Sequence, residues 1–210
     1  EYKSFIQDML ADEPIWKEFL QYVNGVGEIT TMKLLSFPLD LEKNVTSWWA
    51  YAGLVPNVYK CQCEEGHKML SPKEISICNY KDFKNKEECN AKIVSCQIGQ
   101  SRRYNGYKSF WNPKLKTLAF IVSDSFIKQG KYYRKVFDFY KKKALEKGLQ
   151  KAHAHMHAKR LTFKIFLSHL HQAGCELLGV PYRKPYQFEF LNHKSFISWE
   201  EVIKLEIELK

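Results

Sequence analysis

Gly25-Val26-Gly27 lies between two segments with helical periodicity, and this stretch decides the expected fold of the amino-terminal region. Before it, residues 14–23 carry apolar side chains at the spacing of an amphipathic helix. After it, residues 28–37 predict a second short helix. One side of this second helix is expected to carry Ile29, Met32, Leu35 and Ser36.

Two short helices joined by this small-apolar-small turn predict a helix-hairpin-helix. Glycine has no Cβ, so Gly25 and Gly27 accept positive φ and let a nucleic-acid backbone come close. The N–H groups that begin the second helix would then point at a phosphate, helped by the helix dipole. Gly25, Val26 and Gly27 are therefore candidate DNA-binding residues. The alternative is a plain turn between two helices, with the glycines as C-cap and spacer.

The length and charge of the chain limit the classes of protein it fits. Its 210 residues suffice for one domain, alone or with a small insert, and for a sizeable core. The 33 Lys and Arg against 23 Asp and Glu give a net charge of +10, which favours polyanionic partners, although solubility alone is an alternative. No apolar run approaches the roughly 20 residues that span a bilayer, and no signal-peptide pattern opens the chain. We therefore expect a cytoplasmic location and no membrane partner; because the chain begins at Glu1 rather than Met, it is interpretable as a fragment.

The expected fold class is mainly α. We expect a helical region with the helix-hairpin-helix over 1–58, a small Cys-rich, zinc-ribbon-like insert over 59–100, and a helical region over 101–210 that completes the same domain. A clear helix is predicted from Asn112, as N-cap, and Pro113, at the first helical position, to Gly130. Other helices are predicted within 1–13, 47–54, 131–147, 153–173 and 199–209.

Five of the six cysteines fall between positions 61 and 96, and their clustering in an intracellular, DNA-binding-like chain favours metal. A tetrahedral zinc site needs four sulfur or nitrogen ligands, normally delivered as two close pairs. The candidates are four of Cys61, Cys63, His67, Cys78, Cys89 and Cys96. Cys61 and Cys63 are the first pair, with His67 as a substitute. A disulfide-braced insert and free thiols are the alternatives.

Residues 100–108 are basic, aromatic and rich in turn formers. Arginine forks bind phosphate oxygens and tyrosines stack on bases, so this segment is the best local candidate for nucleic-acid contacts. The candidate DNA-binding residues here and just beyond are Arg102, Arg103, Lys108 and Lys114. A solvated hairpin is the alternative.

Three histidines, His153, His155 and His157, begin the predicted helix 153–173. His153 and His157 share a helix face, which is geometry that a metal can use, but no carboxylate lies nearby in sequence to complete a site. Packing or phosphate contacts are favoured over metal at these positions.

Several blocks together resemble the carboxy-terminal transposase domain of the IS-one-ten (or IS-one-sixteen) family of insertion sequences. The hairpin 25–31 is similar to the glycine hairpin that opens that domain, and Tyr51-Ala52-Gly53-Leu54-Val55-Pro56 resembles its "YAGL" block. The stretch 111–118 resembles its "NPxLxxL" helix start. Residues 155–170, followed by Gly179-Val180-Pro181, resemble the tail of archaeal members. Taken together in this order and spacing, the blocks cover roughly residues 14 to 190.

The resemblance implies a mostly helical domain that binds DNA and acts in transposition. Full-length relatives carry an amino-terminal RNase-H-like domain with acidic metal-binding residues, and some are guided by a structured RNA. Nothing like that acidic domain is present here, so whether this chain is an enzyme stays open. The expected partner is DNA, with a guide RNA and a second copy of the chain as further candidates.

One departure from the family concerns the serine nucleophile that bacterial members carry between the "YAGL" and "NPxL" blocks. The Cys-rich insert fills that interval here, and counting back from Asn112 reaches Gln97 and Ile98 rather than a serine. Ser101, beside two arginines that suit a pentacovalent phosphate, is the candidate catalytic residue. The alternatives are a catalytically silent DNA-binding relative and an RNA-binding or assembly module.

Overall fold

A computed structural model of the chain describes residues 2–81, 87–183 and 197–208. In these ranges the helices are α1 (Tyr2–Leu10), α2 (Pro14–Glu18), α3 (Glu28–Leu35), α4 (Val45–Tyr51), α5 (Pro113–Gln129), α6 (Tyr132–Glu146), α7 (Lys151–Leu177) and α8 (Trp199–Glu208). The strands are β1 (Asn57–Cys63), β2 (Lys68–Ser71) and β3 (Ile93–Gln100). About half of the chain is helical. The expectation of a mainly α fold is therefore confirmed only in part.

The chain divides into two compact units. We call Glu1–Trp48 with Thr117–Lys210 the helical unit, and Trp49–Lys116 the sheet unit. The division into 1–58, 59–100 and 101–210 stays a prediction.

Aromatic side chains form much of the core of the helical unit. The ring of Phe126 in α5 stacks on that of Tyr133 in α6, with centroids 4.5 Å apart, and meets the edge of Phe166 in α7 at 5.3 Å. Phe19 stacks on Phe166 at 6.4 Å and is fully buried. Offset and edge-to-face aromatic pairs add to the free energy gained by burial. These contacts join the long helix α7 to α5 and α6.

The segments that flank Gly25-Val26-Gly27 are shorter than the periodicity predicts. The first is divided between α2 and a 3-10 turn over Leu20–Tyr22, and the second is α3. The buried residues of α3 are Thr31 and Leu34, whereas Ile29, on the side that the sequence predicted to be apolar, is 52% exposed. In a helix of two turns, tertiary packing rather than the sequence pattern sets the rotation about the helix axis.

The predicted bounds of α5 are confirmed. Asn112 is its N-cap: the side-chain Oδ1 accepts hydrogen bonds from the backbone N–H groups of Lys114 at 2.9 Å and Leu115 at 3.2 Å. Pro113 begins the helix, where its missing N–H costs no hydrogen bond. Gly130 follows the last turn with φ of +74°, the left-handed conformation that glycine adopts without strain.

The sheet unit contains an antiparallel sheet with the strand order β2-β1-β3. The central strand β1 places Cys61 opposite Cys96 of β3, and the register shifts by one residue between Gln62 and Cys63. Val58 of β1 is buried with Leu70 of β2. The sequence analysis predicted no strands here, although the alternation of Cys61, Gln62 and Cys63 is a weak strand signal.

Candidate metal centre and basic surface

The sheet unit supplies two pairs of potential metal ligands. The first pair is Cys63, at the end of β1, and His67, directly before β2. The backbone N–H of Cys63 donates to the carbonyl of His67 at 3.1 Å, and that of Gly66 donates to the carbonyl of Cys63 at 2.9 Å. Gly66 has φ of +79°, which lets the chain reverse within this short turn.

The second pair is Cys78 and Cys89, on two antiparallel segments. The N–H of Cys78 donates to the carbonyl of Ala91 at 2.8 Å, and the N–H of Cys89 donates to the carbonyl of Tyr80 at 2.9 Å. Asn90 has φ of +51° and its N–H donates to the carbonyl of Cys78 at 3.0 Å. These backbone bonds place the two thiols side by side although ten residues separate them in the sequence.

The four ligand atoms lie within 4.8 Å of one another, close enough to hold a metal ion. The Sγ atoms of Cys63 and Cys89 are 4.0 Å apart. In a tetrahedral site with metal–sulfur distances of about 2.3 Å, neighbouring sulfur atoms lie about 3.8 Å apart, so the observed spacing fits such a site. Cys63 and Cys78 are buried. The arrangement can therefore coordinate a metal through three sulfurs and one imidazole.

His67 has an atom suited to coordination. Its Nδ1 is buried and has no hydrogen-bond partner among the residues that the structure describes. Its ring stacks on Tyr80, with centroids 4.3 Å apart and planes 3° apart, which holds the imidazole in position. A metal ion would satisfy the buried nitrogen.

The thiols of the cluster differ in acidity. Burial raises the pKa of Cys63, but hydrogen bonds from the backbone at His67 and from the neighbouring thiols outweigh it, so the net pKa is lowered. Burial, together with the neighbouring thiols, raises the pKa of Cys78 to about 12. Neighbouring thiols resist ionising together, because two adjacent thiolates repel each other. A divalent cation would supply the positive charge that stabilises them as thiolates.

The other two predicted ligands are separate from this cluster. Cys61 and Cys96 form a disulfide across β1 and β3, with their Cα atoms 4.1 Å apart. The four cysteine and histidine residues that approach one another are therefore a subset of the six candidates. His67 takes the ligand position that the sequence assigned first to Cys61. Cys175 is a buried free thiol in α7.

Three motifs singled out in the sequence meet elsewhere in the sheet unit. Ser101 Oγ donates to the carbonyl of Gly53 at 3.4 Å, and Lys116 Nζ donates to the carbonyl of Ser101 at 3.1 Å. Gly53 has φ of +65°, and a Cβ at this position would lie 3.0 Å from Cγ of Trp111. The "YAGL" block, Ser101 and the "NPxL" block therefore pack against one another.

Cations and aromatic rings lie together around this junction. Lys60 Nζ and the Arg102 guanidinium each lie 5.1 Å from the ring centroid of Tyr104, and Lys116 Nζ lies 4.5 Å from that of Trp111. We call Lys60, Arg102, Tyr104 and Lys116, with the exposed side chains of Arg103 and Lys114, the basic surface. The ring of Trp111 beneath Lys116 is buried. Sequence reasoning identified the arginines and Lys114 but missed Lys60 and Lys116.

The charge of the sheet unit is concentrated toward its carboxy-terminal part. Its 12 Lys and Arg against 6 Asp and Glu leave +6, and residues 89–116 contain six Lys and Arg without one Asp or Glu. Lys108, also a predicted DNA-binding residue, lies 4.4 Å from the ring centroid of Tyr80, which stacks on His67. Lys108, one of the predicted DNA-binding residues, therefore contacts the tyrosine ring that holds the His67 imidazole of the candidate metal centre.

The predicted hairpin residues belong to the helical unit. Gly25 has φ of +101°, and a Cβ there would lie 3.1 Å from Phe126 and 3.2 Å from the backbone of Ser125, so this glycine is packed against α5. Val26 is buried. A Cβ at Gly27 would meet no atom within 4 Å, but the first turn of α3 carries the carboxylate of Glu28. Gly27 is therefore the accessible member of the three.

The histidines of α7 have separate surroundings. His153 is exposed, and His155 meets the edge of the Phe137 ring at 5.1 Å. His157 Nδ1 lies 3.0 Å from a terminal nitrogen of Arg160. In the part of the chain that the structure describes, these histidines form no metal cluster.

Comparison of the chain with protein-family models, curated proteins and solved structures found no match. Within residues 2–81, 87–183 and 197–208, no helix combines the length and apolar content needed to cross a bilayer.

Proposed function

We propose that the sheet unit is a zinc-bound, zinc-ribbon-like module whose ligands are Cys63, His67, Cys78 and Cys89. Three thiolates and an imidazole are a soft ligand set that suits zinc and disfavours magnesium and calcium. Four protein ligands fill a tetrahedral shell and leave no position open for a substrate, so the proposed role of the metal is structural. The closeness of the four ligand atoms carries this part of the proposal.

We propose further that the chain binds DNA through the basic surface. The observation that carries this proposal is the meeting of Lys60, Arg102 and Lys116 with the rings of Tyr104 and Trp111. All but Lys60 belong to residues 89–116, which contain no Asp or Glu. Cations bind backbone phosphates, and the aromatic rings hold these cations in place. We propose that this DNA binding serves DNA transposition, as in the family that the chain resembles.

Under this proposal the hairpin is a second DNA contact of helix-hairpin-helix type, with Gly27 as its point of approach. The open space at Gly27 supports the contact, whereas Glu28 in the same turn weakens attraction to phosphate. A guide RNA and a second copy of the chain remain proposed partners.

Titration of a labelled DNA duplex, followed by fluorescence anisotropy, tests DNA binding. Between about 50 and 200 mM salt the affinity is expected to fall steeply, because each phosphate contact contributes about −0.9 to the slope of log K against log salt. The double variant Arg102→Ala/Arg103→Ala is expected to bind more weakly and to reduce the slope by about 1–2. The matched control is Lys128→Ala/Lys204→Ala, which removes two exposed charges from the helical unit.

Equal effects of the two double variants, or binding without salt dependence, would contradict the proposal. A single-stranded RNA of the same length is titrated in parallel. The alternative of an RNA-binding module predicts tighter binding to this RNA than to the DNA duplex.

We propose Ser101 as the nucleophile, should the chain react with DNA. Its position beside Arg102 and against Lys116 supplies cations that would stabilise charge developing on a phosphorus centre. Attack by its oxygen on a phosphodiester would form a phosphoserine bond and release the 3′ or 5′ oxygen of the broken strand with a proton. A covalent adduct to cut DNA that disappears in Ser101→Ala supports this role, and an adduct that persists in the variant refutes it.

A further inference from the structure

A group of basic side chains lies on one face of α7, in the helical unit and outside the basic surface. His157, Arg160 and Lys164 are spaced three and four residues apart, so they lie one above another on the helix. All three are half-buried, and Ala158 and Phe163 are among the fully buried residues of the same helix. These basic side chains are therefore partly withdrawn from water.

The environment of this group is unfavourable to positive charge. Burial, followed by the charge of Arg160, lowers the pKa of Lys164 to about 8. Burial lowers the pKa of Arg160. Burial and then the charges of Arg160, Lys147 and Lys164 lower the pKa of His157. Each charge raises the free energy of the others, and a bound anion would offset this repulsion.

Another cation on α7 shows how this chain compensates a buried charge. Lys159 is buried, and its Nζ lies 2.7 Å from the carboxylate of Asp124. Arg160, the next residue, instead directs a terminal nitrogen at His157, and its Nε is buried without a hydrogen-bond partner among the described residues. A buried guanidinium N–H without an acceptor is unsatisfied, and an anion held against the guanidinium would offset that cost.

We infer that His157, Arg160 and Lys164 form a phosphate-binding site on α7, with Lys147 adding long-range attraction. A phosphate offers oxygen acceptors in the geometry that a guanidinium fork and an ammonium group bind together. Its charge of −1 in a diester, or about −2 in a free ester, compensates the clustered cations. The phosphate belongs either to a nucleic-acid backbone or to a free oligophosphate. The site is independent of the metal centre and of Arg102 and Arg103.

The test uses the full chain and the double variant Arg160→Gln/Lys164→Gln, which removes both charges and keeps an unbranched polar side chain at each position. Inorganic tripolyphosphate is one probe, followed by backbone amide NMR shifts at residues 157–164 and by the rise in Tm that selective binding to the folded state produces. A labelled DNA duplex is the second probe. The matched control is Lys128→Gln/Lys204→Gln, which removes two exposed lysine charges from α5 and α8.

The variant is expected to lose at least about tenfold in affinity for one or both probes, because each charge-assisted hydrogen bond contributes that order of affinity. Loss with both probes, or with DNA alone, supports the site with a nucleic-acid backbone as its source. Loss with tripolyphosphate alone supports it with a free oligophosphate. Unchanged binding of both probes overturns the inference, as does an equal loss in the control.

Urea unfolding of the double variant distinguishes a loss of phosphate binding from a loss of folding. An unchanged urea midpoint in the double variant shows that the variant is as stably folded as the wild type. The loss of binding would then come from the site and not from unfolding. If the midpoint falls, the single variants Arg160→Lys and Lys164→Arg, which keep both charges, must restore binding; failure to do so overturns the inference.

Discussion

Replacing Cys78 with Ser is expected to abolish zinc binding and to unfold the sheet unit. The buried clusters of that unit include four apolar side chains besides cysteine: Val58, Met69, Leu70 and Trp111. At about 1.5–3 kcal/mol each, their burial stabilises the unit by about 6–12 kcal/mol before the entropy of ordering the chain is counted. Structural zinc contributes about 10–16 kcal/mol at pH 7 in small domains, so the metal decides whether this unit folds.

Two measurements check this expectation. Metal analysis should find one zinc per chain in the wild type and none in Cys78→Ser, because a serine hydroxyl is a poor zinc ligand. Hydrogen exchange should show protection lost in residues 49–116 of the variant and retained at the core of the helical unit. Acidification should release the zinc, because the three thiols and the imidazole must be deprotonated to bind it.

The matched control is the double variant Cys61→Ser/Cys96→Ser, which removes the disulfide of the same unit and keeps all four ligands. It is expected to keep one zinc per chain. Stoichiometric zinc in Cys78→Ser, or zinc lost equally from the control, would refute the assigned ligand set.

Two further predictions concern the separate units. Burial lowers the pKa of His169 to about 4, so below pH 6.5 the unfolded state binds a proton that the folded state rejects. Urea unfolding should therefore show stability falling between pH 6.5 and about 4, by up to ~1.4 kcal/mol per pH unit, and a shallower fall in His169→Gln. Gly53→Ala and Gly106→Ala both place Ala at positive φ, +65° and +76°, which costs about 1–2 kcal/mol. Only the former Cβ meets Trp111, at 3.0 Å, so Gly53→Ala should lower the Tm further; equal melting of the two variants would contradict this packing.

Features controlled by neighbouring residues could be predicted from the sequence. Asn112, Pro113 and Gly130 mark the ends of α5 because a cap, a fixed φ and a left-handed residue act within one turn. Asn44 likewise accepts a hydrogen bond from the N–H of Thr46 at the start of α4, 3.0 Å away. These interactions depend on no distant part of the chain.

Features that need distant residues could not be predicted in detail. Pairing of β1 with β3 sets Cys61 opposite Cys96, and spacing along the chain does not specify that register. For the same reason the sequence did not indicate a role for Lys60. Its Nζ lies over the ring of Tyr104, although more than forty residues separate the two in the sequence. Which side of α3 is buried also depended on its neighbours.

By itself the sequence determined the chemistry available to this protein: a cluster of cysteines with one histidine, a basic aromatic segment, and helices with defined ends. Tertiary structure alone decided which four side chains, Cys63, His67, Cys78 and Cys89, come within reach of one metal ion. It also decided that Arg160 lies beside His157 with a buried donor, whereas Lys159 is paired with Asp124. The physical reason is that residue type sets what an atom can bind, whereas packing of distant segments sets which atoms meet and how far water is excluded from them.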